Sequence, residues 1–104
     1  MEITHVDMIE VLAQVPLFAE LSPYELKRYV GLFQPIALYP GDIVFAIGDQ
    51  PEAAYVIFEG QIDISIDEHE SSIPFARMKR GDLFGEEALL FDDQRGYSAT
   101  TVDE

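Results

Sequence analysis

The residues best suited to chemistry stand close together near the end of the chain. Leu83-Phe84-Gly85-Glu86-Glu87-Ala88-Leu89-Leu90 interrupts a strand-like pattern, and Arg95, Tyr97 and Ser98 follow within a few positions. Glu86 to Leu90 spells barely more than one turn of helix. Nucleation is costly, so such a helix must be held by something else. A short helix opened by glycine offers free backbone N–H groups and a partial positive charge at its start. Those groups suit an anion such as phosphate, and Gly85 lets a ligand approach the backbone closely. Glu86 can accept hydrogen bonds from a sugar hydroxyl. Arg95, after the loop Phe91-Asp92-Asp93-Gln94, can return as the cation that neutralises the phosphate. Each residue also has a plainer role. Glu86 can stabilise a helix start, Arg95 can balance Asp92 and Asp93 in solvent, and Tyr97 can simply pack in a strand.

Those side chains need a frame. The first third of the chain reads as helical. Val6, Ile9, Leu12 and Ala13 fall at helical spacing with Asp7 and Glu10 opposite, and Pro16 stops that helix. Ser22-Pro23-Tyr24-Glu25 spells a capped start, with Ser22 as cap, Pro23 in the first position and Glu25 completing a capping box. Leu26, Tyr29, Val30 and Phe33 form the next apolar stripe. From Ile36 the period changes to two. Strands are expected at Ile43-Val44-Phe45, Tyr55-Val56-Ile57-Phe58 and Gln61 to Asp67, and around Ile73, Phe75, Arg77 and Met78. A polar turn from Asp67 to Ser72 separates the last two. Gly-Asp recurs at 41, 48 and 81, as turn chemistry, with glycine taking positive φ and aspartate bonding the local backbone. Several short strands divided by such turns indicate an antiparallel sandwich or barrel.

Composition narrows the function classes. The chain has 104 residues, one domain's worth, and its 48% hydrophobic content is that of a globular protein. Twenty acidic residues stand against six basic ones, a formal charge of −14. That argues against a nucleic-acid surface and against docking on anionic membrane. No cysteine is present, which removes disulfides, cysteine zinc sites and thiol catalysis. No apolar run reaches the ~20 residues of a membrane span, and the N-terminus has no signal-peptide layout. The expected compartment is the cytoplasm. His5 and His69 are single and flanked by polar residues, as surface positions are. The acids Asp67, Glu68 and Glu70 lack the spacing of a calcium loop.

Phe84-Gly85-Glu86-Glu87-Ala88-Leu89-Leu90, followed by Arg95 and Ser98-Ala99-Thr100, resembles the phosphate-binding cassette of cyclic nucleotide-binding domains. Upstream, Val15-Pro16-Leu17-Phe18 with Leu21 and Glu25-Leu26 is similar to that family's helical entry. Tyr39-Pro40-Gly41-Asp42-Ile43-Val44-Phe45 with Gly48-Asp49 is similar to its first hairpin. Tyr55-Val56-Ile57-Phe58-Glu59-Gly60 and Arg80-Gly81-Asp82 continue the order, so the resemblance covers roughly residues 15 to 102. It implies a mainly β chain, an antiparallel jelly roll (a double-stranded β-helix), with N-terminal helices over 1–34 and the roll over 35–104. It implies a sensor of cAMP or cGMP, with no catalytic residue, metal or cofactor. The ligand-binding set would be Phe84, Gly85, Glu86, Glu87, Ala88, Arg95, Tyr97 and Ser98. Amides from Gly85 to Ala88 would hold the cyclic phosphate, Glu86 would meet the ribose 2′-hydroxyl, Arg95 would pair with the phosphate, and Ser98 would add polar contacts.

The family places its arginine directly before the small residue and alanine, where this chain has Tyr97. Two arrangements follow. Either Tyr97 replaces the cation, or Gly96 and Tyr97 are absorbed in a bulge and Arg95 serves. Residues two apart in a strand share a face, so Arg95 and Tyr97 are expected to face the pocket together or to face away together. The chain stops at Glu104, before the further strands and C-terminal helix that the family carries. An open sheet edge would then favour pairing between chains, and a homo-oligomer is one expected form. The leading reading is a regulatory domain that senses a cyclic nucleotide and passes a conformational change to an effector. A second reading keeps the same fold for protein contact or oligomerisation without nucleotide. A third, a jelly-roll metalloenzyme, needs a histidine-rich site that this sequence lacks.

Overall fold

The structure, a computed structural model, describes residues 3–66 and 75–102. Backbone proximity divides the chain into two compact units, Met1–Ala37 and Leu38–Glu104.

In the first unit, helix α1 (His5–Leu12) is capped by Thr4. The Asp7 amide donates to the Thr4 hydroxyl at 3.1 Å and the Thr4 amide to the Asp7 carboxylate at 3.1 Å. The buried side is Met8, Val11 and Leu12, with Val6 exposed, so the expected stripe through Val6 and Ile9 is corrected. Apolar residues surround this helix, and periodicity alone does not choose among its faces. The side that packs on the next helix wins. Helix α1 ends four residues before Pro16, which instead opens a 3-10 turn, Pro16–Phe18. Helix α2 (Pro23–Tyr29) begins as its sequence predicts. The Glu25 amide donates to Ser22 Oγ at 3.2 Å and the Ser22 amide to the Glu25 carboxylate at 3.1 Å. Leu26 and Val30 are buried, while Tyr29 is half exposed.

The second unit holds six strands among the described residues: β1 (Ile43–Phe45), β2 (Tyr55–Val56), β3 (Ile62–Ser65), β4 (Ala76–Met78), β5 (Leu83–Phe84) and β6 (Ser98–Thr101). A single short helix, α3 (Glu86–Phe91), lies between β5 and β6. One sheet has the order β1-β6-β3-β4 and the other pairs β2 with β5, all antiparallel. Their inner faces share a core of Phe45, Ile57, Ile62, Ile64, Phe84 and Ala99. Ile62 and Ile64 are buried while Asp63 and Ser65 are half-buried, the alternation of a strand with one wet face. The expected strand through Phe58 is shorter, because Ile57 bonds a turn rather than a ladder. Its amide donates to Asp82 and its carbonyl accepts from Gly81. Ile73, the Asp67–Ser72 turn, His69 and the Asp67, Glu68 and Glu70 acids lie outside the described residues.

The three Gly-Asp turns are built alike. Gly41, Gly48 and Gly81 have φ of +85°, +91° and +88°. The following aspartate carboxylate accepts from the amide three residues back, that of Tyr39, Ala46 or Lys79. The aspartate amide returns a bond to the same residue's carbonyl. Each turn thus satisfies both backbone groups of its first residue locally, and the second of the three, Ala46 to Asp49, leaves Gly48 and Asp49 free to bind the segment that carries Arg95.

Candidate functional site

Strand β5 delivers Phe84 into the core, 3% exposed. Its ring stacks on Tyr55 at 5.4 Å and tilts against Phe45 at 6.1 Å, contacts worth about 0.5–1.5 kcal/mol each beyond burial. Gly85 then turns left-handed, φ +83°, and caps α3. A β-carbon there would meet Arg95 Nη1 at 2.9 Å and the Phe45 ring at 3.3 Å. Both backbone freedom and close approach therefore demand glycine at 85.

Arg95 fixes that turn. Gly48 donates its amide to the Arg95 carbonyl and Arg95 its amide to the Asp49 carbonyl, both at 2.8 Å. One residue earlier on that side, the Ile47 amide reaches Ser98 Oγ at 3.0 Å. In the backbone register Phe45 stands opposite Ala99, and four residues further along each segment the Asp49 carbonyl accepts from the Arg95 amide. Gly96 and Tyr97 are therefore not surplus in the pairing, and Arg95 reaches the Gly85 carbonyl without the expected bulge there.

Arg95 is 4% exposed, which removes its reading as a solvated loop cation. Nη1 donates to the Gly85 carbonyl and Nη2 to the Ala53 carbonyl, each at 2.5 Å. The guanidinium lies over the Phe45 ring at 4.0 Å, a contact worth about 2 kcal/mol when desolvated. Nε has no partner. Among the described residues no carboxylate forms an ion pair with it. Asp49 and Glu52 share with it a cavity of about 310 Å³ that Phe45 and Tyr55 also line.

Tyr97 faces the same turn, as the shared-face expectation requires. Its hydroxyl accepts from the Gly85 amide at 2.8 Å and its ring packs on Phe45 at 5.4 Å. Burial first, then the neighbouring Glu87 carboxylate, hold the phenol above its ordinary 10, with the Gly85 amide pulling the other way. Glu86 is raised above 4.5, by burial first, against the pull of its own amide, and then by the Glu87 charge. Its Oε2 is buried without a hydrogen-bond partner among the described residues. Glu86, Glu87 and Tyr97 edge an apolar cavity of about 200 Å³ whose walls include Ile64, Ile66, Met78 and Leu83.

The structure thus brings Gly85, Glu86, Glu87, Arg95 and Tyr97 together. Phe84 and Ala88 lie buried beside them as packing. Ser98 is not in the group, since its hydroxyl is occupied by Ile47. Sequence reasoning missed Phe45 and Ala53. Phe45 carried the signal of an aromatic in the first hairpin. Ala53 acts through its carbonyl, which no side-chain type announces. Among the described residues no group of three or more His, Cys, Asp or Glu could hold a metal, and no helix is long and apolar enough to cross a membrane.

Comparison with known proteins bears on the same segment. Residues 35–104 match the family model described as the cyclic nucleotide-binding domain. The chain is 38% identical over 85 residues to a cAMP-dependent protein kinase regulatory subunit of Blastocladiella emersonii, covering 81% of this chain and 21% of that one. It is 37% identical over 87 residues to the Aspergillus niger subunit, with 84% and 21% covered. The chain spans about a fifth of the length of these curated relatives. Among solved structures, the regulatory domain of Toxoplasma gondii PKA with cAMP superposes with a TM-score of 0.83 at 24% identity, covering 95% of this chain and 38% of that one. The N-terminal domain of a Streptomyces coelicolor transcriptional regulator gives 0.77 at 28%, covering 90% and 68%. The jelly-roll expectation is met by these neighbours.

Proposed function

We propose, since the chain belongs to the cyclic nucleotide-binding domain family, that it is a sensor that binds cAMP or cGMP and passes the change to an effector. The observation that carries this is Arg95, a buried guanidinium without a carboxylate partner among the described residues, bonded to the carbonyl of the glycine that opens α3. A buried charge normally has a counter-charge, and a cyclic phosphate would supply one. Glu86 supports the reading with a covered carboxylate oxygen that lacks a donor, the partner a ribose hydroxyl would provide. The apolar cavity beside it suits a base.

The mechanism is a population shift. Nucleotide draws α3, Gly85 and the Arg95 loop into one arrangement, and Leu90 and Phe91, exposed on α3, change their presentation to a partner. Relatives named for a protein kinase regulatory subunit and a putative potassium channel make several effector classes compatible with one sensor. The chain then acts without a reaction of its own, in the cytoplasm. Calorimetric titration with cAMP and cGMP tests the proposal. Saturable heat and a rise in melting temperature are expected; neither at millimolar nucleotide rejects it.

A further inference from the structure

The Gly85 amide is already taken. Tyr97 Oη accepts from it at 2.8 Å, and Glu87 lines the same cavity as Tyr97. A backbone donor beside a carboxylate acceptor is a recognition pair for an alcohol, because a hydroxyl both accepts and donates. The sugar hydroxyl of a nucleotide has that same chemistry, and Glu86, one residue after the glycine, has an oxygen still lacking a donor. Tyr97 stands two residues after Arg95, and both side chains reach Gly85, Arg95 at its carbonyl and Tyr97 at its amide. Its ring is seated on Phe45 and its edge borders the apolar cavity.

We infer that Tyr97 is an internal stand-in for the ligand's sugar hydroxyl: its phenol occupies the Gly85 amide in the free protein and is displaced when a cyclic ribonucleotide binds. The inference rests on the proposed function above, gives the Gly85 amide to the sugar hydroxyl where the resemblance gives it to the phosphate, and adds a residue that sets affinity and sugar selectivity. Wild-type protein exchanges one hydroxyl for another at that amide, so the 2′-hydroxyl gains little there. With Tyr97→Phe the amide is empty and the whole bond goes to the ligand.

The test titrates the full chain and its Tyr97→Phe variant with cAMP and with 2′-deoxy-cAMP. The variant keeps the ring on Phe45. It should bind cAMP roughly five- to tenfold more tightly, the net worth of one hydrogen bond, and 2′-deoxy-cAMP unchanged. Equal tightening of both ligands, or none for cAMP, overturns the stand-in while leaving the sensor reading intact. Two further readouts accompany the titration, the second in the wild type alone so that it stands should the variant not fold. Amide exchange at Gly85 without nucleotide should be slow in the wild type and faster in the variant; equal rates overturn the inference. In the wild type, saturating cAMP should shift the Tyr97 ring signals; static signals overturn it. Absence of any cyclic nucleotide binding by wild type and variant alike removes the sensor reading and this inference together.

Discussion

Two arginines show how one side chain serves opposite purposes in this unit. Arg77 sits on the wet face of β4, opposite Asp63 on β3. Its Nε and Nη2 reach both Asp63 oxygens at 2.6 and 3.1 Å, with relative exposures of 47% for Arg77 and 28% for Asp63. Arg95 is buried, shares its protons with two backbone carbonyls, and lies on an aromatic ring. The exposed cation has an ion-pair partner within the fold, and the buried one, among the described residues, has carbonyl dipoles and a ring face but no ion pair, with Asp49 and Glu52 lining the same cavity. Exposed pairs contribute about 0–1 kcal/mol, whereas a buried cation costs desolvation that dipoles offset in part. The unbalanced charge is therefore at the family cassette, where an anion would gain most.

The sharpest way to break that contrast is Arg95→Ala. Two charge-assisted bonds at about 1.5–3 kcal/mol each are lost, and relief from burying the charge returns some of it. We expect a net loss of about 2–4 kcal/mol by urea denaturation, a large share of the 5–15 kcal/mol typical of a domain. Arg95→Lys should fall between, because one ammonium does not match the fork that reaches Gly85 and Ala53 together. A loss below 0.5 kcal/mol for Arg95→Ala would mean that the guanidinium does not organise the turn.

Gly85→Ala comes next. The left-handed backbone costs alanine about 1–2 kcal/mol, and its β-carbon would press on Arg95 Nη1. Gly41 has a similar φ of +85° but open space at its β-carbon. Gly41→Ala should thus show the conformational cost alone, and the difference between the two variants measures the crowding by Arg95. Equal melting temperatures would show that Arg95 yields freely.

How much of this was readable in the residues follows the range of the forces. The Gly-Asp turns and the Ser22–Glu25 cap were legible because every bond in them closes within three residues. The cassette was legible as a motif, down to the helix that starts after Gly85. The choice between Arg95 and Tyr97 was not, because it turns on which residues pair with Gly48 and Asp49, nearly fifty positions away along the chain. The buried side of α1 was misjudged for a related reason. Val6, Met8, Ile9, Val11 and Leu12 leave no clean polar face, so contact with α2 decides. Ser98 drew attention as a polar residue in the motif, yet its hydroxyl ties β6 to the end of the first hairpin.

Acidity probes the site from its carboxylate side. Glu86 has a folded pKa above 4.5, chiefly from burial. The folded chain therefore holds its proton more tightly than the unfolded chain, and stability falls as pH rises from 4.5 through the raised value. Glu86→Gln removes that penalty. Its melting temperature should exceed the wild type's by a few degrees at pH 7, and the gain should vanish below pH 4.5, where Glu86 is protonated in both states. Cyclic nucleotide affinity should fall in the same variant. A gain that persists at low pH would assign the effect to packing instead of charge.

The smallest effect belongs to the other arginine's partner. Asp63→Asn dissolves the ion pair with Arg77 but leaves an amide that can still accept one hydrogen bond. It also lowers the magnitude of a net charge of −14, and self-repulsion at that charge works against the compact state. The lost pair and the relieved repulsion have opposite signs and similar size, so the expected change is within about 0.5 kcal/mol. Salt separates them. In 1 M NaCl the screening length drops to about 3 Å, which removes the long-range repulsion while the contact pair at 2.6 Å is screened less. The variant should therefore look slightly less stable relative to wild type in high salt than in low salt. The opposite trend would mean that the contact itself is held by long-range attraction, and Asp63–Arg77 would no longer serve as the locally neutralised counterpart of Arg95.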